Sequence, residues 1–156
     1  MRIGHGYDAH RFCENKKMVL GGTEVDCKVG FLAHSDGDVL LHAVSDALFG
    51  AAGMRDIGYH YPDTFEEFKD ADSRALARDC ANKVRGAGFG IDYIDVTVIA
   101  QKPKLAPYID KMRRNTADAL GIPHERVNIK ATTEENMGFT GRLEGVRVHA
   151  VCILTE

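Results

Sequence analysis

The period of the hydrophobic pattern changes along this chain, and that change restricts it to folds in which a sheet and helices share one core. Met1 to Tyr7 sets Ile3, His5 and Tyr7 against Arg2, Gly4 and Gly6, an alternation that reads as a strand. Met18-Val19-Leu20 ahead of Gly21-Gly22 reads as a second strand ending in a turn. From Asp38 to Phe49 the recurrence becomes helical, with Leu40, Leu41, Val44, Ala47 and Leu48 on one side and Asp38, His42, Ser45 and Asp46 on the other. A helix is expected from about Ser73, stopped by Gly86 and Gly88, and another from roughly Pro107 to Leu120. Strands are expected over Tyr93 to Ala100, Val127 to Ala131 and Val146 to Leu154. Ile57 to Lys69, rich in Gly, Pro, Asp and aromatics, reads as a long loop, functional or mobile. Strands first, then helices alternating with strands, predict an α+β class with one mainly four-stranded sheet covered by helices, in a single domain over residues 1–156.

At 156 residues and 44% apolar content the chain can bury one ordinary core. Its longest apolar runs are only a few residues and no basic-then-apolar leader opens it, so a soluble, cytoplasmic protein without a membrane partner is expected. Cys13, Cys27, Cys80 and Cys152 are scattered without a Cys-x-x-Cys pair, which disfavours both a thiolate zinc knuckle and a disulfide framework. A net charge of −3 with no basic block argues against a general nucleic-acid binder.

Asp8 and His10 stand two apart in a strand-like run, which puts both side chains on one face. With His42 projecting from a helix they form a carboxylate and two imidazoles, a set that suits zinc and leaves a fourth position open. Asp38 and Asp46 lie four residues either side of His42, so either can accept its second ring N–H, or both can belong to a solvated acidic face. Asp36 is a candidate helix N-cap. Lys130 to Asn136 gathers hydroxyls, carboxylates and an amide after a strand; on spacing alone a capped turn is the favoured reading. Gly138 to Gly145 reads as a tight turn with a surface ion pair; neither a Walker loop, a dinucleotide fingerprint nor a Ser-His-Asp pattern is present.

The order and spacing of these motifs over nearly the whole chain closely resemble the 2-C-methyl-D-erythritol 2,4-cyclodiphosphate synthases, cyclising enzymes of the non-mevalonate isoprenoid pathway. The resemblance rests on Gly6-Tyr7-Asp8-Ala9-His10, Leu32 to Val39, Asp56-Ile57-Gly58 with Pro62-Asp63-Thr64, Ala100 to Lys104, Lys130 to Thr133, and Gly138 to Arg142. It implies that Asp8, His10 and His42 bind Zn2+ and that Glu135 holds a Mg2+ or Mn2+ ion bridging the substrate phosphates. The implied reaction, that of a phosphorus–oxygen lyase, converts 4-diphosphocytidyl-2-C-methyl-D-erythritol 2-phosphate to the 2,4-cyclodiphosphate and CMP. The 2-phosphate attacks the β-phosphorus, and metals screen the repulsion between the two anions.

By the same resemblance His34 and Thr133 stabilise the transition state, with Ser35 beside them. Asp56, Ile57 and Gly58 touch the methylerythritol, with Tyr61, Pro62, Asp63, Thr64 and Phe65 closing nearby. The cytidine pocket is formed by Ala100, Gln101, Lys102 and Pro103, continued by Lys104, Leu105 and Ala106. Thr132, Glu134, Phe139 and Arg142 complete the substrate contacts. The resemblance also implies a homotrimer with sheets facing a three-fold axis, active sites between subunits, and an isoprenoid diphosphate on the axis near Arg142. Departures from the family pattern are Glu134, Leu143, Tyr59-His60-Tyr61 and Phe65. Two competing readings are a phosphohydrolase whose zinc activates water, and a non-catalytic, zinc-structured module.

Overall fold

The computed structural model describes residues 1–33, 35–62 and 72–156. Strand β1 (Arg2–Glu14) continues well past the expected end at Tyr7, carrying Asp8 and His10 within it. β2 (Met18–Leu20) and β3 (Thr23–Val25) form a hairpin about Gly21 and Gly22, whose φ values of 57° and 63° fit the turn that its strand twist favours. β4 (Val29–Phe31) follows and pairs with the end of β1. The helices are α1 (Val39–Ala52), α2 (Ile57–His60), α3 (Ser73–Gly86), α4 (Ile109–Leu120) and α5 (Gly138–Gly141); β5 (Gly90–Ile99), β6 (Val127–Thr132) and β7 (Gly145–Thr155) complete the order.

The main sheet runs β4-β1-β7-β5-β6. The expected four-stranded sheet is thus present as β1, β7, β5 and β6, extended at one edge by the three-residue β4. β1 and β5 each pair antiparallel with β7, and β6 is parallel to β5. Hence β1, β5 and β6 all run one way, and their C-terminal ends lie at the same end of the sheet. Alternation sorts the two faces: Val146, Val148, Ala150, Cys152 and Leu154 of β7 are buried beneath the helices, with Ile94, Val96 and Val98 of β5.

Two glycines place the central helix. A Cβ on Gly4 would come within 2.0 Å of the Ala47 carbonyl oxygen, and one on Gly6 within 1.9 Å of that of Ala43. The α1 backbone therefore lies directly on β1, and strand alternation aims the next two residues of that face, Asp8 and His10, at the same helix. α1 is covered by β1 and β7 on one side and α3 on another, so Asp38 and Ser45, which helical spacing sets opposite the apolar side, are buried as well, and the solvated-face alternative fails for Asp38. Asp38, not Asp36, is the N-cap. Its carboxylate accepts Leu41 N–H and also the Gly21 and Gly22 N–H groups of the hairpin turn, tying that turn to the helix start. The loop expected from Ile57 begins as a one-turn helix capped by Asp56, and its continuation to Lys69 lies largely outside the described residues. Among the described residues, no helix is long and apolar enough to cross a membrane.

Candidate metal centre

At the C-terminal half of β1, Asp8 and His10 meet His42 from the first turn of α1. Asp8 Oδ2 lies 3.1 Å from His42 Nδ1 and 3.1 Å from His10 Nδ1. One ligand atom from each residue falls within 4.8 Å of the others. An ion held at about 2.0–2.1 Å by tetrahedral ligands separates them by about 3.3 Å, so the observed spacing suits a zinc-sized cation. His10 Nδ1 is buried and, despite its closeness to Asp8, has no hydrogen-bond partner. The Asp8 Oδ1 atom is occupied by Ala9 N–H at 2.8 Å, leaving Oδ2 to face the imidazoles. An orphaned ring nitrogen, a carboxylate oxygen and a second imidazole converging on one point fit a metal by donor type and by distance.

The electrostatics agree. Burial alone would raise the Asp8 carboxyl, but the close approach of the His10 and His42 imidazoles, each with Nδ1 3.1 Å from Oδ2, outweighs it and holds its pKa at about 2. For His42, burial opposes charge, yet the hydrogen bond and charge of Asp8, reinforced by Asp38 and Asp36, raise the imidazole above its ordinary value. The centre is thus a negative well that favours a cation, whether proton or metal.

The second ring nitrogen of His42 goes neither to Asp38 nor to Asp46. Its Nε2 lies 3.0 Å from Ser73 Oγ and 3.3 Å from Ser35 Oγ. Asp38 is committed to backbone capping, and Asp46 accepts Ile57 N–H at 3.2 Å, which fixes the start of α2 instead. Ser73 carries no sequence signal for this role: at the start of a helix, 31 residues from His42, it reads as an ordinary cap-region serine.

A cavity of about 450 Å³ opens beside the centre, lined by Tyr7, Asp8, His10, Ser35, His42 and Asp46 and closed by Ile57, Gly58 and Tyr61. Asp56, the α2 cap, accepts Tyr59 N–H at 2.9 Å, and neither it nor Pro62 is among the described residues lining this cavity. His34, Asp63, Thr64 and Phe65 lie outside the described residues.

A second cavity, of about 730 Å³, is lined by Ala100, Gln101, Lys102, Pro103, Lys104, Leu105 and Ala106 together with Ala131, Thr132 and Thr133. It holds none of the residues of the first. Gln101 Oε1 accepts Asn136 N–H at 3.1 Å, binding this stretch to the turn after β6. In that turn Glu135 and Asn136 take φ values of 51° and 66°, and Glu135 accepts the Thr133 hydroxyl proton at 2.9 Å. Neighbouring Glu134 points elsewhere, engaged by Arg147 and by the Thr140 hydroxyl. Phe139 is half-buried with the Arg147 guanidinium 5.6 Å from its ring centroid, while Arg142 pairs with Glu144 at 2.7 Å. That pair confirms the expected surface ion pair, although the preceding segment is a one-turn helix, α5.

The model of the YgbB family matches residues 1–155. This chain belongs to the YgbB family. It is similar to the 2-C-methyl-D-erythritol 2,4-cyclodiphosphate synthase of Ectopseudomonas mendocina, with 56% identity over all of this chain and 99% of that protein. Among solved structures of this fold, the bifunctional IspDF from Campylobacter jejuni superposes with a TM-score of 0.95 at 45% identity. The match covers 98% of this chain but 42% of that longer one, so the YgbB domain seen here corresponds to part of it. A CDP-bound 2C-methyl-D-erythritol-2,4-cyclodiphosphate synthase matches with a TM-score of 0.90 at 31% identity, over 99% of this chain and all of that one.

Proposed function

We propose that this chain is a 2-C-methyl-D-erythritol 2,4-cyclodiphosphate synthase, with the activity carried by one domain over residues 1–156. The observation that carries the reading is the convergence of Asp8, His10 and His42, drawn from a strand and a helix, on one point beside an open cavity. In this reading the three hold Zn2+, and Glu135 holds Mg2+ or Mn2+ near the phosphates. When bound, such ions neutralise the two phosphates that must approach one another. An oxygen of the substrate's 2-phosphate forms a bond to the β-phosphorus, and the bond from that phosphorus to the bridging oxygen breaks, so that CMP departs with that oxygen. No protein nucleophile enters, and catalysis consists of positioning and charge neutralisation.

The chain's own residues supply the positioning. Thr133 and His34 stabilise the transferring phosphate by hydrogen bonds, the Thr133 hydroxyl exchanging Glu135 for a phosphate oxygen; Ser35 and the segment from Asp56 to Phe65 surround the methylerythritol. Residues 100–106 form the cytidine pocket, where backbone groups read the base edge. Thr132, Glu134, Phe139 and Arg142 complete the substrate contacts, and the engagement of Glu134 by Arg147 and Thr140 favours Glu135 as the metal-holding carboxylate. The assembly is a homotrimer, cytoplasmic and independent of nucleic acid and membrane, with each site built from two protomers and an isoprenoid diphosphate site on the axis.

Incubation of the purified protein with the cytidylyl substrate and magnesium, with and without a zinc chelator, tests the activity by phosphorus NMR. Cyclic diphosphate plus CMP, abolished by chelation, is the expected result. Linear phosphate products would show a hydrolase instead.

A further inference from the structure

We propose that Ser73 and Asp36 are positioning residues that fix His42 in the tautomer protonated at Nε2, so that its Nδ1 presents a lone pair to the metal centre. The inference rests on the reading of Asp8, His10 and His42 as metal ligands. Ser73, the first residue of α3, is 1% exposed, and its Oγ lies 3.0 Å from His42 Nε2. Both hydrogen-bond donors of Ser73 are committed to Asp36: its hydroxyl donates to Oδ1 and its backbone N–H donates to Oδ2 at 3.0 Å. Asp36 Oδ1 also accepts Asp38 N–H at 3.1 Å, which pins the carboxylate to the loop that leads into α1.

The direction of these bonds follows from what each group can do. A carboxylate only accepts, so the single hydroxyl proton of Ser73 is spent on Asp36. The Ser73 oxygen can then only accept from His42, and Nε2 must carry the proton. In a neutral imidazole Nδ1 is left with its lone pair, and Nδ1 is the atom 3.1 Å from Asp8 Oδ2. A lone pair facing a carboxylate oxygen at that distance is stable only with a cation between them or beside them. Ser35 is a weaker candidate for the same duty. It stands 3.3 Å from Nε2, and its oxygen already accepts Gly37 N–H at 3.2 Å. Such outer partners of a ligating histidine fix ring orientation and raise ligand basicity.

The test uses the full chain, stripped of metal and titrated with Zn2+ against a chromophoric chelator, with His42 ring nitrogens followed by NMR in the metal-free state. Ser73→Ala is expected to weaken zinc binding about 10–100-fold, and Ser73→Thr, which keeps the hydroxyl, to restore most of it. Asp36→Asn preserves volume but can donate to Ser73, reversing the chain of bonds. It should weaken zinc binding comparably and move the His42 signals toward the Nδ1–H form. The double variant should cost no more than either single one, because both act through one hydrogen-bonded chain. Melting of the metal-free variants checks folding, and Asp36→Asn carries the test should Ser73→Ala fail to fold. Zinc binding unchanged in both single variants, or Ser73→Thr as weak as Ser73→Ala, would overturn the inference while leaving the metal centre intact. A wild-type chain that binds no zinc would overturn the metal reading and this inference with it.

Discussion

The carboxylate of Asp8 sits between two imidazoles, and the pair it makes with His42 gives the metal-free protein a pH signature. Asp8 titrates at about 2 in place of an ordinary 3.8, so its contribution is complete above the ordinary value and is lost as pH falls through about 2. His42 is raised above its ordinary 6.5, so its contribution is complete below that value and is lost as pH rises through the folded one. In metal-free protein the difference in melting temperature between wild type and Asp8→Asn should therefore peak between about pH 4 and 6.5. The Asp8 shift corresponds to about 2 kcal/mol, which at this chain length is roughly 4–8 °C. Zinc reverses the alkaline limb, because ligation needs neutral imidazole and the proton ceases to compete as pH rises. Melting curves of stripped and zinc-loaded protein across that range check both limbs; parallel curves for wild type and variant would refute the coupling. At this scale the sequence spacing of Asp8 and His10 foretells a shared face, since strand geometry is local. The partner of His42 Nε2 is not foretold, since Ser73 reaches it only through the packing of α3 beside α1.

The seat of α1 on β1 is the structural element on which the centre depends, and Gly6 is its narrowest point. A methyl group there would meet backbone, the Ala43 carbonyl oxygen at 1.9 Å and Ala47 N at 2.6 Å, with no flexible side chain to give way. Gly6→Ala should force α1 outward, cost about 1–3 kcal/mol or more, and carry His42, the residue before Ala43, away from Asp8. Zinc affinity should fall with stability. Gly50 offers the contrast: it lies within α1 with nothing within 4 Å of an added Cβ, so Gly50→Ala should stabilise by about 0.5–1 kcal/mol and leave zinc binding unchanged. Chemical denaturation and chelator competition on the two variants separate the outcomes; a well-tolerated Gly6→Ala would show that the helix is not seated as described. The long elements are legible in the sequence because their periods persist: β5, α3, α4, β6 and β7 fall close to where alternation, caps and glycines put them. β3 and β4, with three residues each, and α2 and α5, with four each, are too short to display a period and arise from pairing and capping across the chain. The choice of Asp38 over Asp36 as the α1 cap is likewise non-local, since it is the hairpin's Gly21 and Gly22 N–H groups that engage the Asp38 carboxylate.

Across the whole molecule the two cavities are kept apart by the sheet itself. Asp8 pairs with Val148, Val148 with Val98, and Val98 with Ala131, so Asp8 and Ala131 stand in one row. Three steps of about 4.8 Å put roughly 14 Å between their backbones, at the same end of the sheet but toward opposite edges. The sequence shows both sets of residues, yet only the strand order shows that one chain offers them as separate halves. In the homotrimer proposed above, a closed three-fold ring would bring the metal half of one protomer to the cytidine half of the next at every interface. This arrangement makes complementation a sharp test. Asp8→Ala damages the metal half alone, and Glu135→Ala damages the other half alone, so each homotrimer should be nearly inactive. In randomly mixed trimers at equal amounts, about one interface in four joins an intact metal half from the Glu135 variant to an intact partner half from the Asp8 variant. Mixing the two under conditions of subunit exchange should therefore recover about a quarter of wild-type turnover, with mass measured in solution confirming the trimer. If one chain alone completes the site, by spanning the gap with a single ligand, the mixture stays as inactive as its components, because no reassortment can place both intact halves in the same polypeptide.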